Sequence, residues 1–224
     1  LNKIAEDIDN GDTVINIPVP AVPDEVPEIV FNLVDRKCDE WTQEELAYWE
    51  QYGITTKTLD EHRVVAVDGY NQTSHDDFTY YKQKPSGELW FAYKRGKYAK
   101  IYCPRPKKFW FVGNYPKEYV FGETCDFYPE SELVFLTAGE KDALCLLSRG
   151  YNAISLNSET VLPSQRLVRE WFYANMNICV LYDIDPTGMR MAEKICDRYG
   201  FSNAGLPEWV LSKGGKDVSD FFRM

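Results

Sequence analysis

The last hundred residues of the chain alternate short apolar runs with segments of helical length, and this alternation limits the fold more than any other feature. The apolar runs have the length of buried strands, and Gly150 and Gly200 end two of the helical segments. Strands that alternate with helices form βαβ units, in which the strands run parallel. We predict strands at 133–137, 153–156, 178–182 and near 209–211, and helices at 141–149, 163–175 and 189–199. The predicted fold class is α/β, with a parallel sheet flanked by helices.

Polar side chains follow each predicted strand of this sheet. Ligands of open parallel sheets bind at the carboxyl ends of the strands, so these residues mark the edge where a site is expected. In chain order the candidates are Glu140 and Asp142, then Asn157 and Glu159, then Asp183 and Asp185, and finally Asp217 and Asp220.

Asp183 and Asp185 form the most informative pair among them. They end an apolar run and are two residues apart, so on a strand their carboxylates would point the same way. Two such charges repel each other unless a proton or a divalent cation lies between them. Mg²⁺ binds one or two carboxylates and leaves positions for substrate phosphates. The pair therefore predicts a site for Mg²⁺ or Mn²⁺ and phosphoryl-transfer chemistry, although an aspartate here could also simply cap the next helix.

The residues before this sheet divide into two further regions. Residues 1–36 are acidic and contain Pro18, Pro20, Pro23 and Pro27, which favour an extended arm or linker. Residues 37–130 are predicted to form a small α+β subdomain. It begins with a capping box at Thr42 and Glu45 and a second short helix near Thr58, and antiparallel strands follow between 63 and 121. Residues 131–224 form the third region.

A basic segment at 94–108 stands out from a chain with a formal net charge of −10. It contains seven basic residues and no acid: Lys94, Arg95, Lys97, Lys100, Arg105, Lys107 and Lys108. Aromatic residues alternate with them, namely Tyr98, Tyr102, Phe109, Trp110 and Phe111. Cations that contact phosphates beside aromatic rings that stack on bases are the usual means of holding single-stranded nucleic acid. The segment predicts a single-stranded DNA-binding groove, and the alternative is a solvated strand face with the aromatic residues in the core.

Composition excludes several other classes. The six cysteines form no CxxC pair and are expected to be reduced core thiols, and His62 and His75 are the only histidines. A zinc hydrolase or a Ser-His-Asp triad therefore has little material to draw on. No apolar run approaches the ~20 residues that a bilayer crossing needs, and we expect a cytoplasmic protein without a membrane partner.

Three blocks of residues 131–224 together resemble the Toprim domain of bacterial and phage-type DNA primases, the primase-helicase family. They are Ala138-Gly-Glu-Lys-Asp142, Asp183-Ile-Asp185-Pro-Thr-Gly188 and Lys216-Asp217-Val-Ser-Asp220. The resemblance implies a nucleotidyltransferase that extends a primer on single-stranded DNA from nucleoside triphosphates. It implies metal ligation by Asp142, Asp183, Asp185 and Asp217, and catalytic roles for Glu140, Asp183 and Asp185. It also implies a replicative helicase, fused or separate, as a partner.

The first block departs from the family pattern. Aligning Asp142 with the family's aspartate puts Ala138 where a glutamate is usual, and that glutamate is the acid/base or metal-organising group. Glu140 on the same loop and Glu159 after the second strand are the two candidates to replace it. In the third block Ser219 stands at a place that is often acidic, and Asp220 is the residue that could compensate.

Three other functions fit parts of the pattern. A Toprim-shaped module that binds nucleic acid without chemistry would explain Ala138, and a Toprim nuclease would use the same acids. A phosphatase of the DxDxT type would use Asp183 as nucleophile and Asp185 as acid/base, but too little chain follows Asp185 for its remaining metal ligands. An EF-hand beginning at Asp183 is excluded, because Lys194 stands where a glutamate is required.

Overall fold

Two β-sheets organise the chain. The computed structural model describes residues 29–73, 78–116, 118–122 and 133–224, and within them one sheet is antiparallel and the other mainly parallel. This mixed α/β architecture confirms the predicted fold class. The residue at the predicted boundary, 130, lies outside the described residues, as do residues 1–28 of the predicted arm.

The first sheet contains six antiparallel strands. They are β1 (Phe31–Arg36), β2 (Val64–Thr73), β3 (Thr79–Gln83), β4 (Phe91–Arg95), β5 (Tyr98–Pro104) and β6 (Lys107–Gly113). Their order is β1-β2-β4-β5-β6, and β3 pairs with β2. β1 therefore belongs to this sheet, although the sequence assigned its residues to the arm. A 3-10 helix (Cys38–Glu40) and two α-helices, α1 (Gln43–Glu50) and α2 (Thr56–Glu61), lie between β1 and β2. The predicted capping box is confirmed, because the Thr42 hydroxyl and the Glu45 carboxylate each accept the other residue's backbone N–H.

The second sheet contains three of the predicted parallel strands, together with two short strands that the sequence did not predict in this sheet. They are β8 (Leu133–Thr137), β9 (Asn152–Leu156), β10 (Asn177–Leu181) and the short β11 (Ser202–Asn203), and β7 (Val120–Phe121) pairs antiparallel with β9 at the edge. The order is β11-β10-β8-β9-β7. The helices are α3 (Glu140–Leu147), α4 (Gln165–Tyr173), α5 (Pro186–Tyr199), α6 (Trp209–Ser212) and α7 (Val218–Arg223). None of the helices in the described ranges is long and apolar enough to cross a membrane.

The strand predicted near residues 209–211 is wrong. These residues form α6, and the fourth parallel strand is β11, which pairs with β10 through Ser202 and Asn203. A short apolar triplet has no periodicity that separates a strand from a helical turn. In the structure the carbonyl of Pro207 accepts the N–H of Val210 at 3.0 Å, which begins the helical turn.

The two sheets share one hydrophobic core. Side chains of α1, α2, β4 and β5 pack there against α3, whose Ala143, Leu144 and Cys145 are fully buried. The other face of the parallel sheet packs on α4 and α5 around Trp171 and Ile195. Because α3 lies in the shared core, its N-terminus lies where the edge of the parallel sheet meets the antiparallel sheet.

Candidate active site

A cavity of about 260 Å³ lies between the carboxyl edge of the parallel sheet and one face of the antiparallel sheet. As the chain order of the strands predicts, the acids after β8, β9 and β10 come together at this edge. The acidic residues of the lining are Glu140, Asp142, Glu159, Asp183 and Asp217. The antiparallel sheet contributes Tyr93, Lys100, Tyr102, Lys107 and Phe109.

Asp183 and Asp185 lie beyond the strand rather than on it. β10 ends at Leu181, and Asp185 is the N-cap of α5. The Asp185 carboxylate accepts the backbone N–H groups of Thr187 and Gly188 at 3.0 Å each. The expected alternation along a strand is therefore not what aligns the two carboxylates. They meet instead at the ammonium of Lys216, which lies 2.9 Å from Asp183 and 2.8 Å from Asp185.

The two aspartates have opposite electrostatic settings. Burial raises the pKa of Asp183, and the hydrogen bond from Lys216 offsets part of this effect. The pKa of Asp185 is lowered by the same lysine and then by the N–H of Gly188. The hydrogen bonds to both acids raise the pKa of Lys216, so the lysine is charged at neutral pH. The site thus already binds one cation, which belongs to the chain itself.

Asp142 and Asp217 form a second acidic pair beside the first. Asp142 lies in the first turn of α3 and accepts the N–H of Ser219 at 2.9 Å. Asp217 caps α7 by accepting the N–H of Asp220 and the hydroxyl of Ser219, both at 2.6 Å. Burial, and then the charge of Asp217, raises the pKa of Asp142 to about 8. Ser219 therefore supports both acids, whereas Asp220 bonds to the Lys216 N–H and to Arg223.

The two glutamates that could replace the carboxylate missing at Ala138 differ in their contacts. Glu140 is buried and contacts the buried ammonium of Lys100, which also donates to the Asn157 carbonyl at 3.1 Å. Oε2 of Glu159 is buried but has no hydrogen-bond partner among the residues that the structure describes. Burial, and then the charges of Asp183 and Asp185, raises the pKa of Glu159. Glu140 is thus engaged, and Glu159 has an oxygen available for a ligand.

The donor chemistry of this edge fits Mg²⁺ or Mn²⁺. Within the described ranges no three acidic, histidine or cysteine side chains are already arranged around one point as metal ligands. Mg²⁺ does not require such a cage, since one or two carboxylates, water and substrate phosphates usually complete its shell. Two carboxylates that already meet on one cation, and a buried carboxylate oxygen without a partner, suit that kind of site.

The basic segment does not form a single groove. Lys100 and Lys107 line the cavity, where the rings of Tyr102 and Phe109 stack at 4.9 Å between centroids and Lys100 lies 4.8 Å above Phe109. Lys94 pairs with Ala99, next to Lys100 in the register, and so faces the other side of the sheet. Lys97 lies in the turn between β4 and β5, ~20 Å from Lys107 along β5.

The remaining basic residues of the segment also point elsewhere. Lys94 pairs with Asp35 at 2.8 Å, and Lys108 pairs with Glu88 at 3.2 Å. Arg95 lies over the ring of Phe121, and Arg105 lines a different cavity beside α1. Of the aromatic residues, Trp110 packs into the core on the far side of the sheet.

Lys216 is the site residue that the sequence analysis missed. It was part of the third block that carries the resemblance, directly before Asp217, and it was not given a role. Its contact with Asp183 and Asp185 depends on the loop before α7 crossing the end of β10, where the Ile184 N–H donates to the Lys216 carbonyl at 2.9 Å. The only signal in the sequence was a lysine adjacent to a candidate metal ligand.

Comparison with known proteins identifies the fold. The sequence matches no protein-family model and no curated protein. The structure is similar to the crystal structure of a fragment of the Aquifex aeolicus primase that comprises its zinc-binding and RNA polymerase domains, with a TM-score of 0.58 and 16% identity. The match covers 81% of this chain and 53% of that fragment, so the chain spans about half of it. The chain therefore has a primase-like fold.

Gly188 is predicted to be required for the geometry of the acidic loop. A Cβ at this position would fall well inside van der Waals contact with the backbone carbonyl of Asp183. Gly188→Ala should therefore displace the loop from 183 to 185 and lower the free energy of unfolding by about 1–3 kcal/mol. Gly205→Ala, where an added Cβ meets nothing within 4 Å, is the control and should stay within about 0.5 kcal/mol of wild type in urea unfolding. Equal stabilities of the two variants would contradict this account.

Removing the charge of only one partner of the Lys100–Glu140 contact is predicted to lower the free energy of unfolding strongly. Glu140→Gln leaves the buried Lys100 ammonium without its counter-charge, and should cost about 3–5 kcal/mol. The double variant Lys100→Met/Glu140→Leu removes both charges and should cost less than Glu140→Gln alone. Urea unfolding measures the free energy of unfolding of both variants. The control is Glu170→Gln, which removes a charge from the exposed pair with Arg166 and should lower that free energy by under about 1 kcal/mol. A Glu140→Gln variant as stable as the control would disprove the role of this contact.

Proposed function

We propose that this chain is part of a primase-type polymerase that binds single-stranded DNA and joins nucleotides into a primer with Mg²⁺ or Mn²⁺. One observation carries the proposal: the acidic edge of a parallel sheet faces a cationic, aromatic face of an antiparallel sheet across one cavity. Nucleotidyl transfer needs a metal-binding surface and a surface for template and phosphates on opposite sides of the reacting groups. The likeness of the fold to the RNA polymerase fragment of a primase supports the same function.

The acids would hold the metal on one side of the cavity. Asp183 and Asp185 are the direct ligands in this proposal, because their carboxylates already meet at one point. Asp142 and Asp217 stand beside them, and burial and then the charge of Asp217 raise the pKa of Asp142, so a cation bound nearby would stabilise its carboxylate. A bound Mg²⁺ would neutralise phosphate charge and lower the pKa of the attacking 3′-hydroxyl.

The antiparallel sheet would hold template and nucleotide on the other side. Lys107 is exposed at the mouth of the cavity and can contact phosphate oxygens. Phe109 is 43% exposed and is backed by the ring of Tyr102, which suits it to stack on a base. The charge of Lys100 is engaged by Glu140, so its part is to fix the position of this face rather than to bind phosphate on its own.

Glu159 is the better candidate for the role of the carboxylate that Ala138 lacks. Its buried Oε2 has no partner in the described ranges, and it lies close enough to Asp183 and Asp185 for their charges to raise its pKa. Glu140 is held by Lys100. In this proposal Glu159 completes the metal site or accepts a proton there, and Glu140 positions Lys100.

Primer synthesis tests the proposal directly. The chain is incubated with single-stranded DNA, NTPs or dNTPs, and Mg²⁺ or Mn²⁺, and the products are resolved on one gel. Asp183→Asn should reduce incorporation about 100-fold because it removes a direct ligand, and Glu159→Gln about 10-fold. Asp197→Asn, an exposed acid on α5, is the matched control and should leave incorporation unchanged.

Other products would point to other functions. Incorporation that survives Asp183→Asn would overturn the assignment of the site. Salt-sensitive DNA binding without any incorporation would favour the non-catalytic module that the substitution at Ala138 suggests. Shortened DNA under the same metal conditions would favour a nuclease.

A further inference from the structure

Lys216 occupies the point where the two central carboxylates meet. Its ammonium lies 2.9 Å from an oxygen of Asp183 and 2.8 Å from an oxygen of Asp185. Two carboxylates this close repel each other strongly without a positive charge between them. Lys216 supplies that charge from the chain itself.

The backbone of Lys216 is held by hydrogen bonds, whereas its side chain is held by the two ion pairs and is about half exposed. Its carbonyl accepts the Ile184 N–H at 2.9 Å, and its own N–H donates to Asp220 at 3.1 Å. The side chain is 47% exposed, against 11% for that of Asp183. Because the ammonium is about half exposed, water can solvate it when it leaves, so a second cation can take its place beside the two acids while the backbone hydrogen bonds hold the loop.

We propose that Lys216 is the resident counter-ion of Asp183 and Asp185, which a divalent cation displaces, and that the displaced ammonium then binds a phosphate of the nucleotide. The first half concerns the acids and the metal alone. The second half rests on the proposed function, because it requires a nucleotide in the cavity that Lys216 helps to line. A lysine side chain anchored at this position cannot move far from the pair, so the ammonium remains beside any phosphate that the metal binds.

The proposal predicts effects of opposite sign for the two ligands. Without Lys216, a divalent cation no longer competes with an ammonium for the two carboxylates, so the metal should bind more tightly. The metal–nucleotide complex should gain less from the site, because its phosphates lose a positive partner. A lysine with a purely structural role would not produce these opposite changes.

Mn²⁺ titration followed by electron paramagnetic resonance tests the first half without any turnover. Lys216→Met should lower the Kd for Mn²⁺ about three- to thirty-fold, which corresponds to two exposed ion pairs. Lys216→Arg keeps the charge and should remain near wild type. Lys213→Met removes a lysine that lies over the ring of Trp209 outside the cavity lining, and it should also remain near wild type. Lys216→Gln serves as a second neutral variant if Lys216→Met does not fold, as judged by circular dichroism.

A nucleotide titration at saturating Mn²⁺ tests the second half. A fluorescent ATP analogue should bind several-fold more weakly to Lys216→Met than to wild type, and equally to Lys213→Met and wild type. An unchanged or raised Kd for Mn²⁺ in both neutral variants would overturn the counter-ion role. An unchanged nucleotide affinity would overturn the phosphate role. Because neither titration requires primer synthesis, a chain that binds Mn²⁺ as predicted but makes no primer would refute the polymerase and leave the counter-ion role standing.

Discussion

The buried contact between Lys100 of β5 and Glu140 at the start of α3 is the interaction on which the arrangement of the site depends. It joins the antiparallel sheet to the N-terminus of a helix that follows the first parallel strand, at the point where the two sheets share a core. Lys100 also donates to the Asn157 carbonyl after the second parallel strand. One side chain thus ties together one face of the cavity and two of the loops that form the other. An ion pair whose two partners are both buried tolerates little displacement, because separating the charges leaves each of them buried without a counter-charge.

The acidic edge brings together carboxylates that would repel each other without compensating charges. Asp183 and Asp185 share Lys216, and Asp217 and Asp185 cap helices. Asp142 has a pKa raised by burial and by Asp217, so the cluster holds a proton more readily than an isolated carboxyl group would. Lys141, although burial lowers its pKa, keeps its charge because Asp217 and Asp142 raise it. A divalent cation would bind such a cluster in competition with the protons and the ammonium group that already balance its charge.

Prediction from sequence succeeded where local chemistry decides the structure. The capping box at Thr42 and the alternation of strands and helices after residue 133 depend on neighbours in the chain. The predicted strand near residue 210 failed because three apolar residues are too few for periodicity to distinguish a strand from a turn. The basic segment failed as a single groove for a different reason. Successive residues of a strand face opposite sides of the sheet, so Lys94 and Lys108 lie on the side away from Lys100, and the length of β5 separates the turn at Lys97 from Lys107.

The sequence by itself determined that acids follow three strands of a parallel sheet, and therefore that they collect at one edge, because all the parallel strands of such a sheet end on the same side. It could not determine which charges would be neutralised there. The sequence offered both Glu140 and Glu159 for the place of the missing glutamate, but only the packing of β5 against α3 gives Glu140 a lysine and leaves Glu159 Oε2 without a partner in the described residues. Lys216 reaches Asp183 and Asp185 only because the loop before α7 crosses the end of β10. These are contacts between segments distant in the chain, and they form only when the whole core has packed.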